Sequence, residues 1–448
     1  MINVDPRIKA AFRSDSSTKE YVLIFLDENF GVTHLNNSNL LSDNLTITEN
    51  LCSEEQLHYG RCEGNMFEFE MEYDPKSYAG QIFDAYLILD DMDELPFPVG
   101  RYIIDTETAS NDRNSKSITA YDIMYVLNTL DITYWYYNEI TFPITIKQMR
   151  DSLLNYVSQE QETVSLVNDN AVIETSPWDG ETDITFEMVM PALLEPNGVF
   201  GSINRNGLFT YISLDAVDQS ETYPSKNTFP SRNLYPKSIK GKNYYIDPHL
   251  IKSDIMWEDY SCRAMDLVQV RNKAGVVITE YPLPGRESFN NVYVIQNNPI
   301  MECFSTSTLE SVIRNFASKV GKVSYRPCDA NILMDLSLEV GDAVTLTNTD
   351  GQKIPTFILK RTMTGIVDAF DEIEATGYEY FINEPPETNN GAIDEIMDDL
   401  TDIEDRLSTV ETKQAQGDGS IKIRSVSSLP ASPERNILYL VQGKIYVN

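Results

Sequence analysis

The residues best suited to metal binding or nucleophilic catalysis are three histidines (His34, His58, His249) and five cysteines (Cys52, Cys62, Cys262, Cys303, Cys328). No histidine has a second one at i+2 or i+4, which excludes a zinc helix of the HExxH kind. His58 precedes Cys62 by four residues in a stretch containing Gly60, but two ligands do not make a zinc site. The cysteines are odd in number, scattered in spacing and lack a CxxC. That pattern suits buried free thiols in a reducing compartment better than a disulfide framework. Neither GxSxG nor a phosphate-binding P-loop is present. Acidic pairs such as Asp90-Asp91 and Asp398-Asp399 are common at this composition. Solvated surface is their ordinary state, so a glycosidase pair cannot be singled out. A cysteine–histidine dyad assembled in three dimensions stays open, without a local signature. The expectation is a chain with no enzymatic activity, no metal and no cofactor.

Side chains that could act by association are easier to find. Ile393, Ile396, Leu400, Ile403, Leu407 and Val410 are spaced 3, 4, 3, 4, 3. This is a heptad seam with Ile393, Leu400 and Leu407 at a, and Ile396, Ile403 and Val410 at d. Leucine at a with β-branched residues at d favours three or four strands over two. A helix lying on its own domain carries a wider apolar stripe. The seam predicts a short self-associating coiled coil, with a trimer as the expected state. About 20 residues span only about 30 Å, so the seam reinforces contacts made by folded domains.

At 448 residues the chain has room for about three domains. Its 25 tyrosines suit half-buried strands. The net charge of −34 argues against gripping nucleic acid by its phosphates and against an anionic membrane surface. It leaves room for DNA to pass an acidic wall that repels it. The N-terminus lacks a basic-then-apolar signal segment, and no apolar run approaches the ~18 residues of a membrane span. A cytoplasmic site of synthesis is expected.

The elements that must position these features read as mainly β with some α, an α+β class. Residues 1–137 are expected to be a first β-barrel domain. Met66-Phe67-Glu68-Phe69-Glu70-Met71-Glu72-Tyr73 alternates strictly, giving one dry and one acidic face. Residues 138–255 are mixed α+β, with a capping box at Thr145-Ile146-Lys147-Gln148 opening an amphipathic helix. Residues 256–384 return to β as a second barrel. It contains a hairpin about Asn272 to Ala274, a helix opened by Ser307-Thr308-Leu309-Glu310, and a strand–turn–strand over Leu336 to Leu346. A linker at 385–391, the coiled coil at 392–413 and a terminal hairpin module at 421–448, turning at Gln442-Gly443, complete the chain. The two helices echo one another: Ile146, Met149, Leu153 and Val157 match Leu309, Val312, Phe316 and Val320 in offset, as any two amphipathic helices can.

Asp335-Leu336-Ser337-Leu338-Glu339-Val340-Gly341-Asp342, with Ile354-Pro355-Thr356-Phe357-Ile358, Thr362-Met363-Thr364-Gly365 and Glu374-Ala375-Thr376-Gly377, resembles the second barrel of phage tail hub proteins. These are the tail-associated, baseplate-hub proteins of phages and prophages of Gram-positive bacteria. Ser428-Leu429-Pro430-Ala431-Ser432-Pro433 and the strands after it are similar to short terminal modules of phage tail proteins. The resemblance implies a homotrimeric hub of the virion tail tip, assembled in the host cytoplasm. Its two barrel-like domains per chain would adapt sixfold tail rings to a threefold tip. The implied partners are the distal tail protein, the tail tube rings, a tail fibre or receptor-binding protein at the tip, and the host cell surface. Genome DNA would pass without specific binding. Where family members carry a peptidoglycan hydrolase after the hub, this chain has the short coiled coil and hairpin. The alternative is a tailspike-like protein that binds or degrades host-surface carbohydrate; long β-solenoid repeats, its sequence mark, are absent.

Overall fold

A computed structural model describes residues 4–214 and 244–382, except 15, 27–31, 42–43, 53, 247, 254, 287–288, 349 and 367. It also describes three short strands at 422–425, 437–441 and 444–447. The seam at 393–410 lies outside the described residues. The fold is mainly β with helices set against several sheets.

Eleven strands form one sheet: β1 (Lys19–Leu26), β2 (Val32–Asn36), β3 (Thr46–Asn50), β4 (Met66–Glu72), β5 (Ile82–Leu89), β6 (Phe97–Ala109), β7 (Ser115–Tyr121), β8 (Met256–Trp257), β9 (Cys328–Leu333), β10 (Lys360–Thr364) and β11 (Phe370–Ala375). Their order is β8-β9-β11-β10-β3-β4-β7-β6-β5-β1-β2. Leu40, just past β2, bridges Met71 of β4, and Glu72 N donates to Asn39 O at 2.9 Å. Six strands, β4-β7-β6-β5-β1-β2, therefore close on themselves as a barrel, which removes the exposed edges.

The alternation in β4 determines which face is dry. Phe67, Phe69 and Met71 are buried, while Glu68 and Glu70 are half-buried and Glu72 is exposed. Phe83 of β5 sits at the centre of the barrel core, with ring centroids of Phe25, Phe67, Phe69 and Tyr102 at 5.3, 5.5, 6.0 and 5.7 Å. Such offset and edge contacts add to the burial itself.

A second core gathers the helices. The capping box at Thr145 forms: Gln148 N donates to Thr145 Oγ1 at 3.2 Å and Thr145 N to Gln148 Oε1 at 3.1 Å. The helix Ile146–Tyr156 buries Ile146, Met149, Leu153 and Leu154. The later helix, Thr306–Val320, starts earlier than expected because Ser305, not Ser307, takes the cap; its Oγ accepts from Thr308 N at 3.3 Å. Tyr59, Tyr293 and Phe316 pack as a ring triad with centroids 5.3 to 5.6 Å apart. The hairpin expected near Asn272 joins Leu267–Arg271 to Val277–Pro282, and Val292–Ile295 adds in parallel on the other side.

The stretch Leu336 to Val340 departs from the expected strand. Asp335 Oδ1 accepts from Ser337 N and Asp342 Oδ2 from Glu339 N, each at 2.9 Å. These carboxylates take amides that a ladder would have used, so the chain turns. Strands Ala343–Thr347 and Lys353–Phe357 do pair, and Tyr244–Tyr245 joins them in parallel. Near the C-terminus Ile437–Val441 and Lys444–Val447 are antiparallel, with Val441 opposite Lys444, and Lys422–Ser425 adds in parallel.

Phe83→Ala removes the ring that four others touch. A loss of about 3–5 kcal/mol is expected for such a core truncation, read as a drop in the melting transition. An unchanged melting curve would contradict the assigned barrel centre.

Candidate functional site

Among the described residues no group of three His, Cys, Asp or Glu is placed to hold a metal ion. The cysteines are all free, and burial pushes the thiols of Cys52 and Cys262 up to about 11 and that of Cys328 to about 12. Thiols so placed supply little thiolate at neutral pH. His58 Nδ1 lies 2.6 Å from Glu54 Oε2, whereas Cys62 is buried with its Sγ against Gly201.

The most heavily built polar site lies where β3 meets β10. Their register runs from Thr46↔Thr364 to Asn50↔Lys360 and places Glu49 opposite Arg361. Arg361 is fully buried. Its Nε donates to Asp371 Oδ1 at 3.2 Å and its Nη2 to Asp335 O at 3.1 Å. Further bonds go to Asp371 Oδ2 and to Leu338 O. Glu49 Oε2 lies 3.7 Å from Arg361 Nη1, and its Oε1 lies 3.3 Å from Arg205 Nη2. The Arg205 guanidinium stacks over Phe97 at 5.5 Å, bringing β6 into the same cluster.

Burial raises the Asp371 carboxyl to about 6, with Arg361 pulling it down. The hydrogen bonds from Arg361 favour its ionised form against that burial. For Arg361, burial works against the charge, but Asp371 and Glu49 outweigh it and hold its pKa above the ordinary range. A planar five-donor cation suits this role: it serves two carboxylates and two carbonyls at once. The cluster joins segments 46–50, 335–338 and 360–371 with the turn holding Arg205. It adds charge pairing to the backbone ladder between β3 and β10.

From the end of β11, residues 376–382 run as a strap over the second core, where 54–56 lie beside 260–263, 291 and 325. Tyr325 Oη donates to Thr376 O at 2.6 Å and Tyr260 Oη to Gly377 O at 3.0 Å. Arg263 N donates to Glu379 O at 3.0 Å, and Phe381 N to Asn291 Oδ1 at 2.8 Å. On the other side Thr376 Oγ1 donates to Glu54 O at 3.2 Å, and Tyr378 bonds Glu55. The Gln56 amide pairs with the Ile382 backbone as a strand would, accepting from its N at 3.0 Å and donating to its O at 3.1 Å. Gly377 is required at its position, because a Cβ there would meet Cys262 Sγ at 2.4 Å and Tyr325 Oη at 2.5 Å.

Asp335, Leu338, Thr376 and Gly377 fall in the stretches that carry the family resemblance, whereas Glu49, Arg205, Arg361 and Asp371 carry no sequence motif. The legible signal for the junction was alternation: Arg361 shares a face with Met363, Asp371 with Ile373, and Glu49 with Ile47. A charge on an inward face calls for a buried partner.

A second buried carboxyl marks where the chain leaves the barrel. Asp122 follows β7, accepts from Met124 N at 2.9 Å and caps the helix Ile123–Asn128. Its own N donates to Asn65 O at 2.9 Å, just before β4. Burial raises it to about 7, with the amides of Asn65, Met124 and Tyr125 pulling it down.

Arg361→Met strands Asp371 and Glu49 beside an uncharged side chain and is expected to lose about 3–5 kcal/mol. Arg361→Met with Asp371→Leu removes both charges and should recover most of that loss; urea unfolding of the two variants decides. For Asp122 the folded value exceeds the unfolded 3.8, so the folded state holds the extra proton between about 4 and 7. Its contribution to stability is therefore present below about pH 4 and lost as pH rises through about 7. Asp122→Asn keeps the cap and removes the proton. Thermal unfolding across pH 4.5–7.5 should show the parent losing stability relative to this variant, and parallel curves would refute the assignment.

No protein-family model and no curated protein matches the chain. It is similar to the solved 43 kDa tail protein of prophage MuSo2 from Shewanella oneidensis, at 12% identity and a TM-score of 0.46 over 80% of this chain and 98% of that one. It is also similar to the tail protein from Neisseria meningitidis MC58, at 11% identity and 0.43 over 79% and 96%. A third likeness is to the Francisella PdpA–VgrG complex, at 10% identity and 0.41 over 82% and 55%.

Proposed function

We propose that this chain is a structural, non-enzymatic protein of a phage tail tip, of the baseplate-hub type, working as a homotrimer. Residues 1–137 and 256–384 are its two barrel-like units, so three chains present six units around the axis. That arrangement adapts sixfold tail rings to a threefold tip, beside the distal tail protein and the tube. The six seam residues from Ile393 to Val410 form a short coiled coil that reinforces the trimer. The terminal strands face a fibre, a receptor-binding protein or the host surface during attachment. Genome DNA passes an acidic wall that does not hold it.

The observation that carries the reading is the continuous ladder from β3 to β10, pinned by Arg361. It supports two β units acting as one stiff body, as a ring component needs. The strap supports a mechanical link, because it ties the chain at 376–382 to both the 54–56 turn and Tyr325 of the second core.

Light scattering on the full chain and on a chain ending at Glu384 tests this. A trimer mass for the full chain is expected, with the shortened chain still associating through the β units. Leu400→Asp with Ile403→Asp should lower trimer stability. A monomer in every case would refute the free homotrimer, and unchanged stability of the double variant would refute the seam.

A further inference from the structure

The hairpin between Leu267–Arg271 and Val277–Pro282 ends in an arm whose apolar residues face outward. Val276, Val277 and Ile278 are 60%, 44% and 42% exposed, three consecutive positions on both sides of the strand. Val277–Pro282 is the outer strand of its three-stranded sheet. Natural edge strands are guarded by charge, proline or a cover, and these positions carry none of the three. The register shifts between Val270 and Arg271, a bulge at the base of the tip. The tip is closed by its own hydrogen bonds. Asn272 Oδ1 accepts from Ala274 N at 3.0 Å and Val276 N at 2.8 Å, Gly275 N donates to Asn272 O at 2.8 Å, and Gly275 takes φ +74°. An arm already held in shape loses little entropy on docking.

The charge of the tip indicates its partner. Lys273 is exposed and has no ionic partner among the described residues. It sits on a chain of net charge −34, so the surface that best complements a basic, apolar tip is the acidic surface of another copy. Arm against arm would set Lys273 beside Lys273, so the arm meets a different, acidic surface of its neighbour. We propose that the arm 271–278 docks on a neighbouring copy of this chain as a contact between subunits. The proposal rests on the homo-oligomer reading above and adds the surface that makes it.

Sedimentation equilibrium of the full chain tests it. Val277→Asp with Ile278→Asp is expected to raise the dissociation constant at least about tenfold, and Lys273→Glu to raise it less and to weaken its salt dependence. Val277→Thr with Ile278→Thr keeps the β-branched shape and should still weaken association, which separates lost contact from a damaged strand. An unchanged dissociation constant in the threonine pair overturns the proposal, as does a parent that stays monomeric at all concentrations. If Leu400→Asp with Ile403→Asp disrupts the trimer while every arm variant leaves it intact, the arm is wrong and the trimeric reading stands.

Discussion

Arg361 is a cation with no water to solvate it. Removing such a charge from solvent costs several kcal/mol even after relaxation, so it survives only where the protein replaces the lost hydration. Here the replacement comes from four places: Glu49 on β3, Asp371 on β11, and the carbonyls of Asp335 and Leu338. They come from three separate segments of the chain, so the charge is satisfied only when all three are in place. The backbone ladder beside it obeys the same condition, since β10 pairs with β3 and β11 simultaneously. The junction is therefore closer to all-or-none than to graded.

That constraint extends into both cores. The barrel core contains Met334, Leu336, Met363, Ile366 and Ala369, all from the far end of the chain. The turn that the Asp335 and Asp342 carboxylates impose on 336–340 leaves the backbone oxygens of Asp335 and Leu338 free to accept from Arg361. The strap continues the arrangement outward. Side-chain bonds from Tyr260, Tyr325, Gln56, Asn291 and Thr376 hold most of it in place of a strand ladder, and Gly377 passes close against Cys262 and Tyr325.

What was legible in the sequence was whatever has a short period. The β4 alternation gave its dry face residue by residue, and the Thr145 capping box gave a helix start. The helix Phe186–Leu194 was not legible. It buries Phe186, Val189, Met190, Ala192, Leu193 and Leu194 almost all round and holds Pro191, so it has neither a stripe nor a clean propensity. The junction was invisible for another reason. Pairing of β3 with β10 is a long-range choice, and local pattern reveals only that Glu49, Arg361 and Asp371 point inward. The seam from Ile393 to Val410 lies outside the described residues.

The β3–β10 pairing has a consequence in time. Asn50 and Lys360 are partners, although they lie 310 positions apart in the chain. At about 5–20 residues per second of synthesis, β3 waits on the order of tens of seconds for its neighbour. During that wait the six-stranded barrel can close, because Leu40 and Met71 lie early in the chain. Its core, however, lacks the five residues from 334 to 369. The nascent protein therefore carries an unpaired strand beside an unfinished core until nearly the whole body has been made. Translation itself sets the order in which this molecule becomes able to assemble.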